Sequence, residues 1–124
     1  MKAILLALIC TAAQADTVGM HLGTVHDRPG FNGSNPGLYV IMDDYIAGAY
    51  QNSENAPSAY AGKVFNYAAW DFAAVVMTGY KVGTVTTVLP SHTFKLSDTL
   101  SGRVTFIINP IGANGLHLSV EQAF

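Results

Sequence analysis

No stretch between residues 16 and 124 holds the roughly 20 consecutive apolar residues that a membrane helix needs, yet 50% of the chain is hydrophobic and only 11% is charged. The apolar residues come instead in short runs rich in Val, Ile, Thr, Tyr and Phe, parted by Gly, Pro, Asn, Asp and Ser, a composition that favours strands and turns. Strands are predicted over 17–26, 37–42, 45–52, 58–66, 70–80, 85–96, 99–109 and 116–124. The first connections alternate in size: a long 27–36 loop, a tight Asp43-Asp44 turn, then a 53–57 loop. Long loops at one end and short turns at the other are the habit of outer-membrane barrels. A water-soluble domain carries about a quarter of its residues as charges, so the low charge favours lipid as the surrounding solvent. The expected fold is all-β, an eight-stranded antiparallel up-and-down transmembrane β-barrel formed by residues 16–124.

The first fifteen residues read differently. Met1-Lys2 gives a positive start, Ala3 to Ala12 an apolar run, and Ala13-Gln14-Ala15 a small-residue cleavage pattern, so 1–15 is expected to be a cleaved secretory signal peptide that directs export to the bacterial outer membrane. Cys10, the single cysteine, would leave with it, and the mature chain would have no disulfide or cysteine metal site. No cofactor or metal is expected. A net charge of -2 with six Lys and Arg argues against a nucleic-acid partner.

Residues 116–124 alternate with period two: Leu116, Leu118, Val120 and Phe124 share one face with Gln122, while His117, Ser119, Glu121 and Ala123 share the other. The apolar face and terminal aromatic resemble the signal read by the outer-membrane assembly machinery. Pairing the last two strands around 110–115 sets Arg103 opposite Glu121 on the inward face, and a turn near Tyr67 sets Lys63 opposite Asp71. Lys95 also falls inward by alternation. Charges facing lipid cost up to about 2–4 kcal/mol at the bilayer midplane, so Lys63, Asp71, Arg103 and Glu121 are expected to form a neutralising structural cluster in the lumen, near the short-turn end. Toward the long loops, Gly23, Val75, Met77, Gly79, Thr105 and Ile107 are expected inward, as a side-chain core or a slot for an apolar ligand.

Several motifs carry a family resemblance: Met20-His21 with Asp27 six positions after the histidine, the run Gly48-Ala49-Tyr50-Gln51-Asn52-Ser53, Val88-Leu89-Pro90, and Thr105-Phe106-Ile107-Ile108-Asn109-Pro110 before a Gly/Asn loop and the aromatic ending. In order and spacing, 16–124 resembles the lipid A palmitoyltransferases (PagP), outer-membrane barrels that move an acyl chain from phospholipid to lipopolysaccharide, and it is also similar to short signal-bearing proteins encoded by phages. The resemblance implies a monomer working on membrane phospholipid and lipopolysaccharide. It implies a site of His21 as general base, Asn52, and Ser53 as the acyl-handling hydroxyl, with His26 as an alternative base. The family has aspartate where Asn52 stands, and an amide cannot supply the negative charge that stabilises an imidazolium. Pro90 and Pro110 match prolines that flank the family's lateral lipid opening; each also removes a ladder donor and can simply bend the wall. Either Gly62 or Val64 could form the floor that limits acyl length.

Two other readings remain at this level. His117, Ser119 and Glu121 resemble the His-x-Ser arrangement of outer-membrane lipid A deacylases, although Val120 follows where that family continues differently after the serine. A non-catalytic barrel that modifies the cell surface or masks a receptor requires only the strands and polar loops such as 27–36.

Overall fold

A computed structural model describes residues 16–108 and 114–124. The expected signal peptide and Pro110 lie outside the described residues. Within them the chain forms eight strands: β1 (Thr17–His26), β2 (Ser34–Met42), β3 (Tyr45–Gln51), β4 (Pro57–Tyr67), β5 (Trp70–Tyr80), β6 (Gly83–Lys95), β7 (Leu100–Ile107) and β8 (Gly115–Ala123). Each pairs antiparallel with its sequence neighbours, and β8 returns to β1 to close the barrel. Closure pairs the β1 and β8 edges that an open meander would leave free.

The turns explain much of the register. Asp43 and Asp44 have φ of 54° and 66° directly between the Met42↔Tyr45 pair, the mirror-image hairpin turn whose twist matches the strands and which favours Asp. Asp43-Asp44, Ala68-Ala69 and 96–99 close one end, where Phe124 N–H also bonds to Asp16 O at 2.9 Å. At the other end stand the 27–33 and 52–56 loops, the end of β7, the start of β8 and one tight turn, Lys81-Val82.

Three departures from the expected register change which side chains meet. β4 and β5 close through Ala68-Ala69, so Asn66 pairs with Asp71 and Lys63 with Ala74. That odd shift reverses the face of Lys63 relative to Asp71. Lys63 is therefore exposed on the outside, its ammonium 5.8 Å from the Tyr45 ring centre and 5.5 Å from that of Phe65, and it does not belong to the lumenal cluster. In β1, the pairs His21↔Ser119 and Gly23↔Leu118 leave Leu22 as an extra residue. This bulge turns Thr24 inward and Gly23 outward, against simple alternation. Finally, β7 and β8 pair Arg103 with Ser119 and Ser101 with Glu121, so Arg103 meets Glu121 diagonally, still on the inward face.

The lumen is filled by rings. Tyr39, Tyr60, Val75 and Met77 form its buried core, with Tyr50, Tyr80, Ile41 and Leu89 packed against it. Gly19 makes this possible, since a Cβ there would stand 2.0 Å from Cζ of Tyr39. Outside, the large apolar residues are exposed: Val18, Met20, Leu38, Val76, Val88 and Leu118 along the wall, and Tyr45, Phe65, Tyr67, Trp70, Phe94 and Phe124 toward the short-turn end.

Candidate functional site

His21 points into the lumen from β1, just before the bulge, with the rings of Tyr39, Tyr50, Tyr60 and His117 within 4.7–5.7 Å of its own. Both of its nitrogens are engaged: Nε2 meets Tyr60 OH at 2.8 Å and Nδ1 meets His117 Nε2 at 2.8 Å. His117 Nδ1 in turn meets Thr24 Oγ1 at 2.7 Å, and Thr24 donates to Asn35 Oδ1 at 2.6 Å. Because the single Thr24 hydrogen goes to Asn35, His117 Nδ1 must donate to Thr24. The proton inventory of neutral imidazoles then fixes the remainder. His117 Nε2 accepts from His21 Nδ1–H, and His21 Nε2 accepts from the Tyr60 hydroxyl. The chain continues to the rim, where Asn35 Nδ2 donates to Gln51 O at 2.9 Å and Asn32 O at 3.3 Å.

Nearer the short turns, Arg103 is clamped from three strands. Its Nε bonds Glu121 Oε1, and its Nη1 bonds Asp71 Oδ2 at 2.9 Å and also Ser91 Oγ. Tyr39 OH donates to Glu121 Oε1 at 2.7 Å, which leaves the Ser119 hydroxyl to donate to Tyr39 at 3.1 Å. Asn66 Nδ2 bonds Asp71. The geometry pairs and immobilises charge, but with Lys63 outside, one guanidinium serves two carboxylates, so the cluster is not the neutral set expected from the sequence. Among the described residues, no buried side-chain nitrogen or oxygen lacks a partner, as a packed polar interior requires.

Asn52 is fully buried at the start of the β3–β4 loop. Its Nδ2 donates to Ser58 Oγ at 2.8 Å and Gly79 O at 2.9 Å, and its Oδ1 accepts from the N–H groups of Glu54 and Ala56 at 2.9 and 3.0 Å. All four hydrogen-bonding positions of the amide are used in shaping the loop. Ser53 is half-buried at the rim, where its carbonyl accepts from Asn32 N–H at 2.8 Å. No hydrogen bond joins Ser53 to His21 or His26 among the described residues. His26 instead stacks on Phe31, with centroids 5.3 Å apart, while Asp27 Oδ1 accepts from Asn114 N–H at 2.9 Å. The sequence-expected acyl-transfer residues are thus distributed over the lumen, the loop and the rim. His117, Ser119 and Glu121 do share one face, but each bonds elsewhere: to His21 and Thr24, to Tyr39, and to Arg103.

Pro90 sits where the β6–β7 ladder stops. It pairs with Phe72 on β5, and toward β7 the described pairing begins only at Ser91↔Thr105. Beside it, an outward groove of about 560 Å³ is lined mainly by Val25, Pro90, Phe106, Ile107 and Leu116, with His26 and Asp27 also contributing.

The His21–His117 pair was not anticipated from sequence. The available signal was the inward period-two placement of His117, which meets β1 only once β8 is paired with it. Comparison with known proteins finds no matching family model and no similar sequence among the curated proteins.

Proposed function

We propose that this chain is an outer-membrane barrel of the lipid A palmitoyltransferase type in architecture, acting without catalysis as a surface-modifying or receptor-masking protein through its long-loop end. The observation that carries the membrane reading is the sidedness of charge. Of the charged strand residues among those described, Asp71, Lys95, Arg103 and Glu121 follow the inward alternation, and Lys63 alone faces out, beside Tyr45 and Phe65. A lysine among interfacial aromatics can place its head in the polar layer while its stem stays apolar. The non-catalytic reading rests on His21: both nitrogens are committed to Tyr60 and His117, and its surroundings are rings rather than an open slot. The partners are membrane phospholipid and lipopolysaccharide, with the assembly machinery acting on β8.

The groove at Pro90 favours acyl transfer as a second reading, since an apolar wall with His26 and Asp27 among its lining residues suits a lipid tail and a polar head. Mass spectrometry of lipid A from expressing cells separates the two. An added acyl chain abolished by His21→Ala, His26→Ala or Ser53→Ala supports transfer. Unchanged lipid A with altered phage adsorption or detergent sensitivity supports the surface role.

A further inference from the structure

The long-loop end holds a polar hollow of about 650 Å³ lined by Gly30, Phe31, Asn32, Ser53, Glu54, Asn55 and Lys81, within the size range of small-molecule sites. Its walls come from three connections that are bonded to one another. Asn32 N–H donates to Ser53 O at 2.8 Å and Lys81 N–H donates to Glu54 Oε1 at 2.8 Å, while within the central loop Gln51 Nε2 donates to Asn55 Oδ1 at 3.0 Å. Asn52 fixes the central loop from below. The hollow is therefore a built feature rather than a gap between independent loops.

From its chemistry we infer that this hollow is a binding site for a neutral sugar, a hexose or N-acetylhexosamine unit of a surface glycan. Among the described residues, the Ser53 hydroxyl, Asn55 Nδ2, Glu54 Oε2 and Lys81 Nζ have no protein partner, and together they offer both donors and acceptors, as sugar hydroxyls require. One ammonium and one carboxylate cancel, so the site lacks the cationic excess that a phosphate needs and the clustered oxygen ligands that a divalent cation needs. Phe31, backed on one ring face by His26, supplies the apolar surface against which the C–H face of a pyranose packs. This site rests on the long-loop end being the exposed surface, and it names the partner class for that end.

The test uses the full mature chain, purified from expressing cells in detergent and ¹⁵N-labelled, titrated with glucose, galactose, N-acetylglucosamine and, separately, inorganic phosphate. The expected result is saturable amide shifts confined to residues 30–32, 53–55 and 81 with at least one sugar, with Phe31→Ala and Lys81→Met each weakening binding about tenfold, the loss of one good contact. Retained gel-shift behaviour of both variants confirms that the barrel is folded. Shifts with phosphate alone, or no saturable shift with any sugar, overturn the inference. Neither result touches the membrane reading, which fractionation tests separately; conversely, sugar binding by a protein recovered from the soluble periplasm would retain the site and reject the barrel's location.

Discussion

On the proposed resemblance to the palmitoyltransferases, Asn52 takes the place of an aspartate, and its surroundings define what that exchange would do here. Asn52→Asp removes both amide donations and sets a carboxylate against Gly79 O, while the Ser58 hydroxyl is already committed to Thr78 O at 2.6 Å. The expected outcome is a destabilisation of about 2–4 kcal/mol, measured by urea unfolding of the detergent-solubilised protein, with no gain of acyl transfer in lipid A spectra. Arg103 poses the complementary case. Glu121→Gln strips a desolvated guanidinium of one of its two carboxylates, and a loss of about 3 kcal/mol is expected, against less than about 0.5 kcal/mol for the outward Gln122→Ala. Equal small losses in the same unfolding assay would mean that the ion pair does not form.

At the level of elements, bulges and tight turns set the lumen's contents. The β5 bulge between Met77 and Tyr80 contains Gly79 at φ +89°, where a Cβ would lie 2.1 Å from Pro57 O. Gly79→Ala should therefore destabilise by about 2 kcal/mol or more, combining backbone strain with a backbone clash. Ala68 is the reverse case: an alanine at φ 55° in the β4–β5 turn. Ala68→Gly should stabilise by about 1 kcal/mol by relieving that conformation. Shifts of the urea midpoint in opposite directions would verify both, and a midpoint lowered by Ala68→Gly would contradict the turn geometry. The β1 bulge has a wider consequence, because it brings Thr24 inward to continue the His21–His117 hydrogen-bond chain toward Asn35.

For the whole molecule, the inside-out distribution of polarity makes location the decisive measurement. Cleavage after Ala15, recovery in the outer-membrane fraction and heat-modifiable gel migration are expected from the signal-like start and apolar exterior. Deletion of Phe124 should lower the folded, heat-modifiable fraction, since it removes the terminal aromatic and the bond to Asp16 O. Folded full-length chain in the soluble periplasmic fraction would reject the membrane reading.

The strands themselves were legible in the sequence because alternation and turn residues are local: β1 and β5 have the expected bounds, and β8 shows its two faces residue by residue. The same locality placed Asp71, Arg103 and Glu121 inward. Lys63 was misplaced because its face depends on where the β4–β5 turn closes, and Ala68-Ala69 carries no strong turn signal. Gly23 was misplaced because one extra residue, Leu22, reverses parity without changing composition. The tertiary structure alone joined β1 to β8, bringing together His21 and His117 from opposite ends of the sequence, and it separated His21 from Ser53. Period two determines which residues share a face of a strand; register and closure, which depend on contacts between distant strands, determine which faces meet.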